Sequence, residues 1–180
     1  MKEILNHLIE HRTLSKDQAK EVLLKITSGE YNQSQIAAFL TVYMMRSVTV
    51  DELGGFREAM LDQCVPVDIA EYDAMDLCGT GGDGKDTFNI STLASFIVAG
   101  AGQHVAKHGN TGVSSICGSS NLLQSFGYEF TNDVDKIKKS LDEAGICFLH
   151  APLFHPAMKH VGPIRKDLGV KTFFNMLGPM

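Results

Sequence analysis

Apolar positions in the first 66 residues recur at helical spacing, and polar punctuation divides them into segments. Ile4, Leu5, Leu8 and Ile9 make a short apolar stripe. Ser15 with Gln18 is a capping box, two side chains that satisfy free backbone N–H groups where a helix begins. It precedes Ala19, Val22, Leu23 and Ile26, spaced i, i+3, i+4 and i+7, and Gly29 supplies a stop. Asn32 with Gln35 opens a run through Ile36, Phe39, Leu40 and Tyr43. Thr49 with Glu52 opens another through Leu53, Phe56 and Met60, and Pro66 closes it. No cluster of catalytic side chains falls in this region, so packing or subunit contact is its expected role.

Near residue 72 the period changes. "YDAMDLC" reads as a short strand, a glycine loop follows, and "STLASFIVAGAG" reads as a buried helix. "HVAKHG" is a second strand, "NTGVSSICGSS" a second polar loop and "NLLQSFGY" a helix. Thr131 or Asn132 then caps "DVDKIKKSLDEAGI", and "CFLH" is a third strand. Strands alternating with helices predict a parallel sheet with helical crossovers, whose ligands gather at the carboxyl ends of the strands. Pro152, Pro156, Pro163 and Pro179 cut the remainder into short pieces. The expected fold is thus α/β: a helical domain over 1–66, a linker over 67–71, and over 72–180 the first part of a larger domain with a mainly parallel sheet. Residues 155–180 are a candidate to return to the helical domain.

Composition narrows the function. The 180 residues are 44% hydrophobic, enough for a real core. Sixteen basic and 21 acidic residues give −5, with no basic run, which argues against duplex DNA or an anionic membrane surface as partner. An anionic ligand would have to be held locally, by a loop or a bound metal. Glu3, Glu10 and His11 interrupt the apolar N-terminus, so it does not read as a signal peptide. Cys64, Cys78, Cys117 and Cys147 are widely spaced without a C-x-x-C pair, which suits reduced thiols in a cytoplasmic protein. His150, His155 and His160 stand five apart with prolines between, so they share no helical face on which to hold a metal.

The loop "DLCGTGGDGKDTFNIST" carries two phosphate signatures, and each fails. Gly79, Gly81 and Gly84 match a dinucleotide turn, but the next strand ends in Lys107-His108 where an acidic residue should hold a ribose. Gly79, Gly84 and Lys85 match an ATPase loop, but Asp86 stands where a Ser or Thr should bind magnesium. A carboxylate about 4 Å from a phosphate charge costs on the order of 4 kcal/mol at an effective dielectric of 20. A helix N-terminus returns only about 0.3–2 kcal/mol. The loop nevertheless suits a phosphate: glycines expose backbone donors, Asp83 can accept from a sugar hydroxyl, and Asn89, Ser91 and Thr92 offer polar groups where the next helix begins. A plain strand-to-helix turn is the alternative. The second loop repeats the theme, with Lys107 at a strand end and hydroxyls at Thr111, Ser114, Ser115, Ser119 and Ser120.

Together these motifs resemble the anthranilate phosphoribosyltransferase family. G-T-G-G-D is Gly79 to Asp83, N-[IF]-S-T is Asn89 to Thr92, and K-H-G-N is Lys107 to Asn110. The likeness continues through "VSSICGS" and "HPAMKHVGPIRKDLGVKTFFNMLGP", so it runs along essentially the whole chain. It implies a fold like that of pyrimidine nucleoside phosphorylases and a homodimer formed through the helical parts. The reaction it implies transfers phosphoribosyl from 5-phosphoribosyl 1-pyrophosphate (PRPP) to anthranilate in tryptophan biosynthesis, with Mg2+. By the same resemblance PRPP meets Gly79, Gly82, Asp83, Thr87, Asn89, Ile90, Ser91 and Thr92 on the first loop. On the second it meets Lys107, His108, Gly109, Asn110, Thr111, Gly112, Val113, Ser114, Ser115 and Ser119. Ser91 becomes a magnesium ligand, Lys107 assists by charge, and Gly79, Asn110 and Arg165 meet anthranilate. No residue is expected to act as general base or nucleophile.

The chain departs from the family's pattern at Thr111-Gly112, where a large residue is common, at Cys117, and at "SSNLLQSFGY", where "SADVLEALG" is commoner. It also stops at "NMLGPM", near the middle of the family's usual extent, so the expectation is an incomplete domain, weakly active or inactive alone, lacking an acidic pair for a second magnesium. The rival readings are a nucleoside phosphorylase, a nucleic-acid-binding relative, and a helical dimerisation fragment.

Overall fold

The computed structural model describes residues 1–79, 87–112 and 117–180, which divide into two compact units. The first comprises Met1–Cys64, His155–Gly178 and Met180. Its helices are α1 (Lys2–Ile9), α2 (Lys16–Thr27), α3 (Gln33–Met45) and α4 (Val50–Asp62), joined by α9 (Gly162–Leu168) and α10 (Phe174–Leu177). All three capping boxes form, at Ser15/Gln18, Asn32/Gln35 and Thr49/Glu52. Gly29 ends α2 with φ +83°, a backbone that strains any residue with a Cβ. The core joins Leu8, Leu23, Ile26, Phe39, Tyr43, Phe56, Phe173 and Phe174, with Phe56 stacked on Phe173 at 4.3 Å.

One buried charge organises this unit. Glu52 is fully inaccessible, and its carboxylate accepts from Leu14 N (2.9 Å), Thr49 N (2.9 Å), the Tyr43 hydroxyl (2.9 Å) and the Arg46 guanidinium. Burial opposes ionisation, but the bonds from Arg46, Leu14, Thr49 and Tyr43 outweigh it and bring the carboxyl down to about 2. A capping residue thus ties α4 to the end of α3 and to the turn before α2.

Close approach of α2 and α4 explains one glycine of an adjacent pair. A Cβ at Gly55 would lie 2.9 Å from both Ala19 Cβ and Lys20 N, whereas one at Gly54 would meet only the Lys16 side chain, at 3.6 Å.

The second unit, Val65–Phe154 with Pro179, contains α5 (Ile90–Gly100), β1 (Val105–Gly109), α6 (Ser119–Ser125), α7 (Val134–Ala144), β2 (Ile146–His150) and α8 (Ala151–Phe154). β1 and β2 are parallel, with Val105 opposite Ile146 and Gly109 opposite His150, and α6 and α7 lie between them in sequence. The expected strand over Tyr72–Cys78 is not a strand. A 3-10 turn occupies Ala70–Tyr72, Asp73 has φ +44°, and only Met75 bridges to Val105. Beyond Met75, side chains take over the ladder positions. The cap of α7 is Asp133, whose carboxylate accepts from Asp135 N (3.0 Å) and Lys136 N (3.4 Å). Thr131, one of the two expected caps, instead accepts from Asp133 N and fixes the chain just before that cap.

The helical unit offers three positions for mutation. Glu52→Gln keeps the capping geometry but leaves Arg46 without its partner, so urea denaturation at pH 7 should show a loss of about 3 kcal/mol. The native carboxyl titrates below the ordinary 4.5, so its contribution is complete above that pH and disappears as pH falls toward 2; the gap between wild type and variant should close over that window. Gly54→Ala should gain about 1 kcal/mol from helix propensity, while Gly55→Ala should lose about 1–3 kcal/mol to overpacking.

Candidate functional site

The expected ligand loops leave the sheet where Met75 and β1 separate. Met75 N donates to His104 O (2.9 Å) and Ala106 N to Met75 O (3.0 Å), as in a parallel ladder. Further along, the pattern is replaced. His108 N donates to the Asp76 carboxylate (3.0 Å), and the Leu77 carbonyl accepts from Lys107 Nζ (2.8 Å). Side chains thus satisfy the backbone at this tip, and the segment is released toward Gly79.

Lys107 is 1% exposed, and its ammonium also donates to Ser91 Oγ (3.2 Å). Burial lowers its pKa, while Cys78 and Asp76 act in the opposite direction. Lys107 forms no ion pair among the described residues, and two of its three donors are bonded there. A buried cation that is hydrogen-bonded to neutral oxygens and has no ion-pair partner among the described residues is poised to gain from an arriving anion.

The start of α5 lies against the same tip. Asn89 occupies the cap position without a side-chain cap bond. The first-turn N–H groups of a helix have no acceptor within it. Thr92 is buried, and its Oγ1 has no hydrogen-bond partner among the described residues. A Cβ on Gly79 would lie 3.0 Å from Ser91 Oγ, so the glycine allows the loop to pass close to that hydroxyl. Thr87 and Ile90 are exposed at the same helix entrance.

The second loop is pinned at both ends. Asn110 O accepts from Ser120 N (3.2 Å) and Ser119 Oγ (3.3 Å), and Asn110 Oδ1 accepts from Thr111 N (2.7 Å). The Asn121 side-chain oxygen accepts from Gly112 N (2.9 Å) and Gly118 N (3.0 Å), closing the loop. A Cβ at Gly109 would collide with Phe148, and one at Gly118 with the backbone of Asn110 to Gly112. Ser120 Oγ lies 2.9 Å from His150 Nδ1, and the imidazole stacks on Phe130 at 4.4 Å. Burial depresses the His150 pKa. Asp76, Asn121 and His150, the partner of the loop hydroxyl Ser120, are not marked as site residues by the sequence. Each acts over 9 to 32 residues of chain or through backbone, and no local motif marks it.

Gly79, Thr87, Asn89, Ile90, Ser91, Thr92, Lys107, His108, Gly109, Asn110, Thr111, Gly112 and Ser119 all belong to the second unit. Gly82, Asp83, Val113, Ser114 and Ser115 lie outside the described residues. Arg165 belongs to the first unit, on α9. It is half-buried, donates to Asn175 Oδ1 (3.2 Å), and lies 5.1 Å from the Phe174 ring centroid. Burial lowers its pKa, and among the described residues no carboxylate pairs with it. A cavity of about 60 Å³ beneath Lys107, lined by Phe96, Leu123, Tyr128 and Phe148, is far below the ~300 Å³ of a small-molecule pocket. It is a packing gap.

Comparison with known proteins agrees with this architecture. Residues 2–64 match the glycosyl transferase family helical bundle domain, and residues 71–180 match the glycosyl transferase family a/b domain. The anthranilate phosphoribosyltransferases of Flavobacterium johnsoniae and Flavobacterium psychrophilum are 69% and 68% identical over all 180 residues, which is 54% of each relative. The chain therefore spans about half the length of the curated relatives it matches. Among solved structures, anthranilate phosphoribosyltransferase from Thermus thermophilus superposes with TM-score 0.86 at 37% identity, over 97% of this chain and 53% of that one. The Saccharomyces cerevisiae enzyme in complex with PRPP and Mg gives TM-score 0.86 at 31% identity, over 97% and 53%. With two domain matches in order and more than half of the residues inside the a/b match, the chain belongs to the glycosyl transferase family that joins a helical bundle domain to an a/b domain.

Proposed function

We propose that this chain carries the PRPP-binding part of an anthranilate phosphoribosyltransferase, which transfers phosphoribosyl to anthranilate and releases pyrophosphate in tryptophan biosynthesis. The observation that carries the reading is the buried Lys107 ammonium bonded to Ser91 Oγ beside the side-chain-uncapped start of α5. The names of the relatives supply the substrates: the yeast structure contains PRPP and Mg, and another of that enzyme contains 4-fluoroanthranilate.

Breaking the bond from ribose C1 to pyrophosphate builds negative charge on the leaving group and positive charge on the sugar. Lys107 neutralises the former at no reorganisation cost, because Leu77 O and Ser91 Oγ already hold it in place. The first-turn N–H groups of α5 add oriented donors. Anthranilate's aromatic amine is neutral at pH 7 and needs no strong base, so positioning does most of the work. Arg165 offers a planar fork to the anthranilate carboxylate, and its present partners are neutral. Gly79 and Asn110 complete the proposed anthranilate set.

Ser91 fits a Mg2+ role: its oxygen is a hard donor that accepts one bond from Lys107 and keeps a lone pair. The neighbouring ammonium favours a cation that arrives already neutralised by diphosphate. Mg2+, when bound, withdraws charge from the leaving pyrophosphate. Assembly as a homodimer is proposed through the helical unit, where Met45 and Val50 are 82% and 87% exposed. Four widely spaced cysteines without a C-x-x-C pair suit a cytoplasmic setting.

Calorimetry with PRPP and Mg2+ tests the reading. Wild type should bind; Lys107→Met should bind at least about tenfold more weakly while remaining as stable, because an apolar side chain of similar length avoids the burial cost. Ser91→Ala should weaken the Mg2+-dependent part of the binding. In protein extended to the length of the relatives, Arg165→Ala should raise the KM for anthranilate and leave PRPP binding unchanged. Thymidine phosphorolysis, or binding of DNA in place of PRPP, would overturn the assignment.

A further inference from the structure

We propose that Asp76, Cys78 and His108 form a separate cation site that takes a thiophilic divalent ion such as Zn2+. One ligand atom from each residue lies within 4.8 Å of the others. Asp76 and Cys78 are two residues apart in the segment that follows the Met75 bridge. His108 comes from β1 and is tied to the same segment by its N–H bond to Asp76. The Cys78 Sγ to His108 Nδ1 distance is 3.6 Å. With Zn–S of about 2.3 Å and Zn–N of about 2.0 Å, a tetrahedral angle gives an S···N edge of about 3.5 Å. The cysteine and histidine are therefore already at ligand spacing. A carboxylate has about four acceptor positions, so Asp76 can hold the His108 N–H and a metal together.

Chemistry selects the ion. Sulfur, imidazole and one carboxylate suit Zn2+ or Co2+, whereas Mg2+ prefers oxygen and retains its waters. Binding replaces the thiol proton, which leaves to solvent, with a metal–sulfur bond; no group changes oxidation state. Thiolate and carboxylate then cancel the 2+ charge, so the bound complex is neutral beside the Lys107 ammonium. Three protein ligands leave a fourth position for water, and the exposed Asp76 places the site where solvent can reach it. The inference does not rest on the phosphoribosyl reading, although His108 belongs to both residue sets, and its test uses neither PRPP nor anthranilate.

Co2+ serves as the probe because thiolate ligation gives a near-ultraviolet charge-transfer band and tetrahedral geometry gives intense visible bands. Titration should saturate at one equivalent, reverse with Zn2+, and resist excess Mg2+. Loss of an outer-sphere partner alone costs roughly 10–100-fold in metal affinity, so Cys78→Ser and His108→Gln should each weaken binding by at least about tenfold. Cys117→Ser should leave the spectrum unchanged. In the wild-type chain, Zn2+ should protect Cys78 and not Cys117 from alkylation, read by peptide mapping. That readout is independent of whether the variants fold. A thiolate band that survives Cys78→Ser, a titration without such a band, or Cys78 alkylation unaffected by Zn2+ would overturn the proposal.

Discussion

An ammonium group buried within β1 has to be compensated, and the compensation of Lys107 shapes the tip of its unit. The Leu77 carbonyl turns to meet it, which removes that carbonyl from the β ladder. Asp76 then takes up the His108 N–H, and the chain is free to depart at Gly79. Ser91 completes the set, drawing the first turn of α5 to the same point. One buried charge thus draws the segment after Met75 away from β1, starts a loop and places a helix entrance.

The helical unit uses the same principle with opposite sign and a different outcome. Glu52 is as deeply buried as Lys107, but a guanidinium, a phenol and two backbone donors surround it. Its charge is satisfied internally, so it stabilises a fold and has nothing left for a ligand. Lys107 donates to neutral oxygens and has no ion-pair partner among the described residues, with Asp76 acting on it only through space, so its charge remains available. That contrast separates a structural ion from a functional one more sharply than burial does.

Local rules make much of this legible in the sequence. Ser15, Asn32 and Thr49 cap as expected because a capping box lies within four residues, and no distant group is needed to form it. The parallel pair β1–β2 follows from apolar runs flanking helical spacing. The strand expected over Tyr72–Cys78 fails because an apolar alternation says nothing of a left-handed Asp73 or of a lysine that captures Leu77 O. "TND" offers three chemically competent caps in a row, and backbone placement selects Asp133. Gly79, Ser91 and Lys107 are legible as site residues through motif order, whereas Asn121 and His150 act by closing and bracing a loop from residues that look ordinary.

If Lys107 is held as a partly uncompensated cation for a diphosphate, its titration must respond to that ligand. NMR titration of the Lys107 ammonium, with and without PRPP and Mg2+, measures this directly. Free protein should titrate below the ordinary lysine value of 10.5, because burial opposes the charge. Bound diphosphate should move the titration upward. A Lys107 titration that PRPP leaves unmoved, in protein shown to bind it, would contradict the account.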